Sequence, residues 1–129
     1  METQESNIHT EAATGINIMF FKAAFKAMTA RAFRIAKEHG WWPEGQEVNH
    51  GEQLALMHSE LSEALEYLRH GNKPSDHIPN FSGLEEELAD VVIRIMSYAG
   101  RLNLHIPEAI IEKMAFNESR PFKHGGKEF

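Results

Sequence analysis

The chain has no cysteine, which excludes a disulfide framework, thiolate zinc sites and a cysteine nucleophile, and fits a reducing compartment. It has no apolar run near the ~20 residues needed to cross a bilayer. Its first fifteen residues carry acids and polar groups where a secretory signal needs a basic start and an apolar stretch. The expectation is a soluble, cytoplasmic protein with no membrane partner. Positive charge is also scarce: 13 Lys and Arg stand against 19 Asp and Glu, a formal net charge of −6. Broad nucleic-acid binding relies on basic residues that displace phosphate counterions, so nucleic acid is not an expected partner. An acidic surface can still attract phosphates through a divalent cation.

What is present is helical period. At 129 residues, 42% of them hydrophobic, the chain is one domain's worth. Residues 1–15 have no sustained apolar period and read as a disordered leader before a helical domain over 16–129. From about Asn17 to His39, Phe21, Phe25, Met28, Ala32 and Ile35 recur every three or four residues, as on an amphipathic helix that Gly40 and Pro43 end. The breaker-rich stretch 40–51 puts Trp41 and Trp42 on a loop or helix end. A second helix from about Glu52 to His70 carries Leu54, Met57, Leu61, Ala64 or Leu65, and Leu68 as its buried stripe. A turn-prone connection leads to Ser82 and Glu85, a capping box opening a third helix with Leu84, Leu88, Val91, Ile95, Ala99 and Leu102 as core face. A fourth helix starts at Pro107 and reaches about Asn117. The fold class is all-α, a four-helix-bundle-like domain whose short last helix points to completion by a second chain, as a homodimer or homotetramer.

Chemistry concentrates in two motifs, Glu60-Leu-Ser-Glu63 and Glu87-Leu-Ala-Asp90. Residues three apart are neighbours on a helix surface, so each motif sets two carboxylates side by side next to the apolar stripe. A single pair is an ordinary solvated face; two pairs on facing helices bring four like charges together, which is unfavourable unless cations are present. Oxygen-only ligation suits Mg2+, with Mn2+ an alternative. Glu85 and Glu86 read as first-turn acids favoured by the helix dipole; Glu66 is open between outer ligand and surface charge.

The stretches HSELSEALEYLRHG and EEELADVVIRIMSYAG, with 23 residues between Glu63 and Glu87, resemble the MazG-like branch of the all-α nucleoside triphosphate pyrophosphohydrolases. The closing pattern KMAFNESRPFKHGGKEF is similar to bacterial and phage members. The resemblance spans roughly Phe20 to Phe129 and is loosest in the tryptophan loop. It implies a MazG-type fold, with Glu60, Glu63, Glu87 and Asp90 as metal ligands, and cleavage of a (d)NTP to the monophosphate and pyrophosphate. The implied reaction is attack of a metal-activated water on the α-phosphorus, with Glu60 and Glu63 as catalytic acids. Glu63 orients the water or takes its proton, and sequence does not separate ligand from base. The role implied is nucleotide-pool control or housecleaning, on a purine deoxynucleotide such as dGTP.

Other residues carry paired readings. Lys113, Asn117, Arg120, Lys123, His124 and Lys127, with glycines 125 and 126, either grip phosphates, in their own or a neighbouring subunit, or form a solvated tail. Arg94, four residues after Asp90, either pairs with that ligand along the helix or contacts substrate. Trp41 and Trp42 either stack on a base or pack in a core, and Asn49 and His50 are candidate base contacts. His58 is turned away from the acid pair and read as structural. Two other functions compete. A di-iron carboxylate bundle needs Glu-x-x-His on two helices, and the single such spacing, Glu47 to His50, lies in the loop. A non-catalytic helical dimerisation or regulatory module would leave the acids as mere surface.

Overall fold

A computed structural model describes the backbone of residues 2–122 and the side chains of residues 14–122. It is all-helical: α1 (Glu2–Glu38), α2 (His50–Arg69), α3 (Gly83–Leu102) and α4 (Ile106–Glu118). Among the described residues the only β-type pairing is an isolated bridge between Pro74 and Ser82, and no helix is long and apolar enough to cross a membrane. The VVIRI run of α3 is helical, as its period predicts despite its β-prone composition. One boundary moves: α1 begins at Glu2, not near Asn17. An apolar period reports burial, whereas helicity needs only local propensity, and residues 2–13 contain neither Gly nor Pro.

The chain forms two compact units, residues 28–103 and the remainder on either side. In the 28–103 unit α2 and α3 make the principal helix contact. They run antiparallel, since His50 meets Tyr98 near one end and Tyr67 lies against Gly83 near the other. Both helices start from side-chain caps. Asn49 Oδ1 accepts the Glu52 amide at 3.1 Å. Ser82 and Glu85 form the reciprocal capping box expected from their spacing. Two glycines set helix approach. A Cβ on Gly83 would collide with the Tyr67 ring, and one on Gly100 would stand 2.7 Å from Phe33 Cβ, so the last turns of α1 lie close to α3. In the other unit, Lys26 pairs with Glu108 at 2.9 Å, and Ile18 and Phe21 of α1 share a cavity lining with Ile110, Ile111 and Met114 of α4.

The core is thinner than the amphipathic stripes lead one to expect. Among the described residues of the 28–103 unit the buried hydrophobic side chains are Ala32, Trp42, Ala64 and Ala99, while Leu54, Leu61, Leu65 and Leu68 of α2 are each 46–52% exposed. The α2 stripe therefore splits. Ala64 is buried on the side of the acids, and the four leucines, roughly 40–100° further round the wheel, are left half-uncovered.

Candidate metal centre

Glu60 and Glu63 occupy successive turns of α2, and Glu87 enters from α3. Carboxylate oxygens of all three lie within 4.8 Å of one another, a group that can hold a cation. Helical spacing alone creates the first pair; the α2–α3 packing creates the convergence. Asp90, the fourth expected ligand, falls outside that group. It stands one turn beyond Glu87, half-buried, and lines an adjoining cavity together with Glu60.

The electrostatics follow from three acids facing one another. Burial works to raise the pKa of Glu60, but the Arg94 guanidinium, whose Nε–H donates to Oε1 at 2.6 Å, and hydrogen bonds from Glu63 and Glu87 outweigh it, so Glu60 is held below the usual range. The cost falls on its neighbours. Glu63 is raised, first by its hydrogen bond to Glu60 and then by burial. Glu87 is pushed up from 4.5 to about 7 by burial and by Glu60 and Glu63. Asp90 is raised by burial and by the charge of Glu60. Glu87, at about 7, thus holds its proton to a higher pH than an isolated carboxyl does.

Two cavities flank the acids. On the Glu60–Asp90 side a cavity of about 340 Å³ is lined by Ala32, Ile35, Ala36, His39, Trp41, Trp42, Gln53, Ile93, Arg94 and Ser97. On the Glu63–Glu87 side a more open one of about 360 Å³ is lined by Glu66, Tyr67 and His70. Trp42 is buried and donates its indole proton to Ser97 Oγ at 2.9 Å. Trp41 is 57% exposed, with the Arg94 guanidinium 5.9 Å from its ring centroid. The two tryptophans thus divide: one is packed as a wall, the other keeps more than half of its surface open beside Arg94.

Several expected residues are placed elsewhere. Arg94 bridges to Glu60 on the other helix rather than pairing with Asp90 along its own. The Asn49 carboxamide caps α2, and His50 Nδ1 lies 2.6 Å from the Tyr98 hydroxyl; neither is among the residues lining the aromatic cavity. Lys113 and Arg120 lie over the Phe116 ring, at 4.4 and 5.4 Å from its centroid. They and Asn117 belong to the other unit. Lys123, His124 and Lys127 lie outside the described residues. Glu66 pairs with Arg69 at 2.7 Å and borders the second cavity.

Sequence reasoning missed Gln53 and Ser97. The available signal was period: Gln53 precedes Glu60 by seven residues and Ser97 follows Asp90 by seven, two turns along the same helix faces. It also missed Ser75 and His77, whose partner Glu86 is remote in sequence and carried no signal. Comparison with family models, with curated proteins and with solved structures finds no match to this chain.

Proposed function

We propose that the chain is a magnesium-dependent nucleoside triphosphate pyrophosphohydrolase of the MazG-like type, releasing a nucleoside monophosphate and pyrophosphate. The observation that carries this reading is the convergence of Glu60, Glu63 and Glu87 beside an aromatic cavity. Three carboxylates fit a hard divalent cation, with Mg2+ or Mn2+ preferred by an all-oxygen donor set. The absence of histidine from the group disfavours a di-iron centre. The buried Glu87 carboxyl, pushed up to about 7, favours a functional site over a mere scaffold, because strongly shifted groups cluster at functional sites.

Bound magnesium would neutralise the triphosphate and acidify the attacking water. The rest is the work of the chain. Glu60, Glu63 and Glu87 would hold the ion, with Asp90 on the adjoining cavity wall. Arg94 fixes Glu60 in position and contributes charge at the cavity mouth. Glu63, the most exposed of the three acids and displaced upward in pKa, is the group suited to take a proton from water in line with the α-phosphorus. Trp41 offers a stacking face to the base. Leu54, Leu61, Leu65 and Leu68 stand half-exposed along α2, and a second copy of the chain would cover them. The cytoplasm is the compartment that fits this chemistry.

A panel of canonical and modified triphosphates, assayed with and without Mg2+ and with product identification, tests the reading. Equimolar monophosphate and pyrophosphate, dependent on the ion, is expected. Stepwise release of inorganic phosphate, or no turnover of any member, would refute it.

A further inference from the structure

Within the aromatic cavity, polar groups away from the acid end are few, and most are engaged. Trp42 Nε1 and Ser97 Oγ hold each other. His39, on the exposed rim, donates Nδ1–H to the Ile35 carbonyl at 2.8 Å. Gln53 is different: it is half-buried, lines the cavity, and its carboxamide has no hydrogen-bond partner among the described residues. A donor and an acceptor left open beside the apolar wall of Ala32, Ile35, Ala36 and Ile93 is an arrangement that orients a polar ligand edge. Its position is also informative. Seven residues before Glu60 on α2, it stands two turns, about 10 Å, from the carboxylates along the helix, on the cavity side, which leaves a sugar and one ring system to fill the space between.

We infer that Gln53 is the residue that reads the base, its carboxamide pairing edge-on with a nucleobase stacked against Trp41. This rests on the nucleotide reading above and adds to it the residue that sets base preference. A glutamine amide pairs bidentately with an edge that shows one donor beside one acceptor. Replacing it by an isosteric apolar chain therefore removes discrimination between bases more than it removes binding.

Trp41 and Trp42 are the chain's two tryptophans, so intrinsic tryptophan fluorescence reports this cavity alone. The test titrates the four deoxynucleoside 5′-monophosphates with Mg2+ into wild type, Gln53→Met and Gln53→Glu, with circular dichroism melts to verify folding. The wild type is expected to show a spread in Kd of at least ~10-fold between best and worst base, the discrimination typical of one bidentate pair. Gln53→Met should compress that spread to about twofold. Gln53→Glu, which can only accept, should shift preference toward guanine, whose N1–H and N2–H2 present two adjacent donors. Ratios between bases cancel any loss common to all four. An unchanged spread in both variants, equal binding of all bases by wild type, or no quenching by any monophosphate would each overturn the assignment. Pyrophosphate release by the same proteins keeps the two claims apart. Robust release with unaltered base preference in Gln53→Met defeats Gln53 alone, whereas base-dependent quenching without any release defeats the hydrolase reading and leaves the base contact standing.

Discussion

Glu86 and Glu87 are neighbours on α3, 9% and 8% exposed, and they behave in opposite ways. One residue of helix turns a side chain through 100°, so Glu86 meets the 70–82 connection while Glu87 meets α2. The Ser75 hydroxyl and the His77 ring, at 2.6 Å, both donate to Glu86. Ser75 Oγ also accepts the amides of His77 and Ile78, so one carboxylate anchors a whole turn. Its pKa is lowered by Ser75 first and His77 second. Glu87 meets only other acids and is pushed up to about 7. Burial does not decide what an acid is for. Glu86 has its donors within the chain, whereas Glu87 faces Glu60 and Glu63, where the proposed cation would supply the missing counter-charge.

Neutralising one acid of each kind should separate their roles by the widest margin. Glu63→Gln or Glu87→Gln is expected to reduce turnover by at least ~10²-fold, the scale of removing a group that acts on the reacting water or its metal. The fold should be kept and the melting temperature unchanged or raised, because a repelling charge is gone. Glu86→Gln should do the reverse: a lower melting temperature, with near wild-type turnover per folded molecule. Wild-type rates in Glu63→Gln would end the catalytic assignment.

A smaller effect separates the two acids by pH. Glu87 has a folded pKa of about 7 against 4.5 unfolded. Between those values the unfolded chain has released a proton that the folded one keeps, so stability falls as pH rises through this window. Glu86 has the opposite sign: its lowered pKa contributes stability above the usual carboxylate range, lost as pH falls. In EDTA the melting temperature should therefore decline from about pH 5 to pH 8. Millimolar Mg2+ should flatten that decline, since ion binding to the folded state competes with the proton. Glu87→Gln should also remove most of it. An EDTA profile that is level over this range in wild type would contradict the clustered-acid geometry.

The helices were legible because period and caps are local. The Ser82–Glu85 box, the Pro107 start and the Gly71 stop follow from residues within one turn of the boundary. The pairing of Glu60 with Glu63 was equally readable, from spacing alone. Their convergence with Glu87 was an expectation about packing, and packing gave three acids in the group with Asp90 to one side. Arg94 shows the limit most clearly. Its i,i+4 relation to Asp90 is a sequence fact, but its partner is Glu60, 34 residues away. Asn49 and His50 show a related limit: sequence does not reveal that one caps α2 and the other meets Tyr98. Gln53 carried the right period and went unremarked because a lone amide has no motif.

The smallest predicted effects concern the Glu86 anchor, and they show which of its two donors matters. Ser75 is 1% exposed, and Ser75→Ala removes a donor to a carboxylate and an acceptor of two amides, so a loss of about 1–3 kcal/mol is expected in chemical denaturation. His77 is 84% exposed at its side chain, where solvent screens an ion pair and the net gain is small. His77→Ala should lower the melting temperature by much less than Ser75→Ala. The remaining difference should depend on pH with a fixed sign. The His77 pKa is raised by its hydrogen bond to Glu86, so its contribution is complete below the usual histidine range of about 6.5 and disappears as pH rises through the elevated folded value. Melts of His77→Ala and wild type should thus differ at pH 6 and coincide at pH 9. A difference that grows toward alkaline pH would mean that the ring acts by packing rather than by charge, and would leave Ser75 as the one donor that sets the character of Glu86.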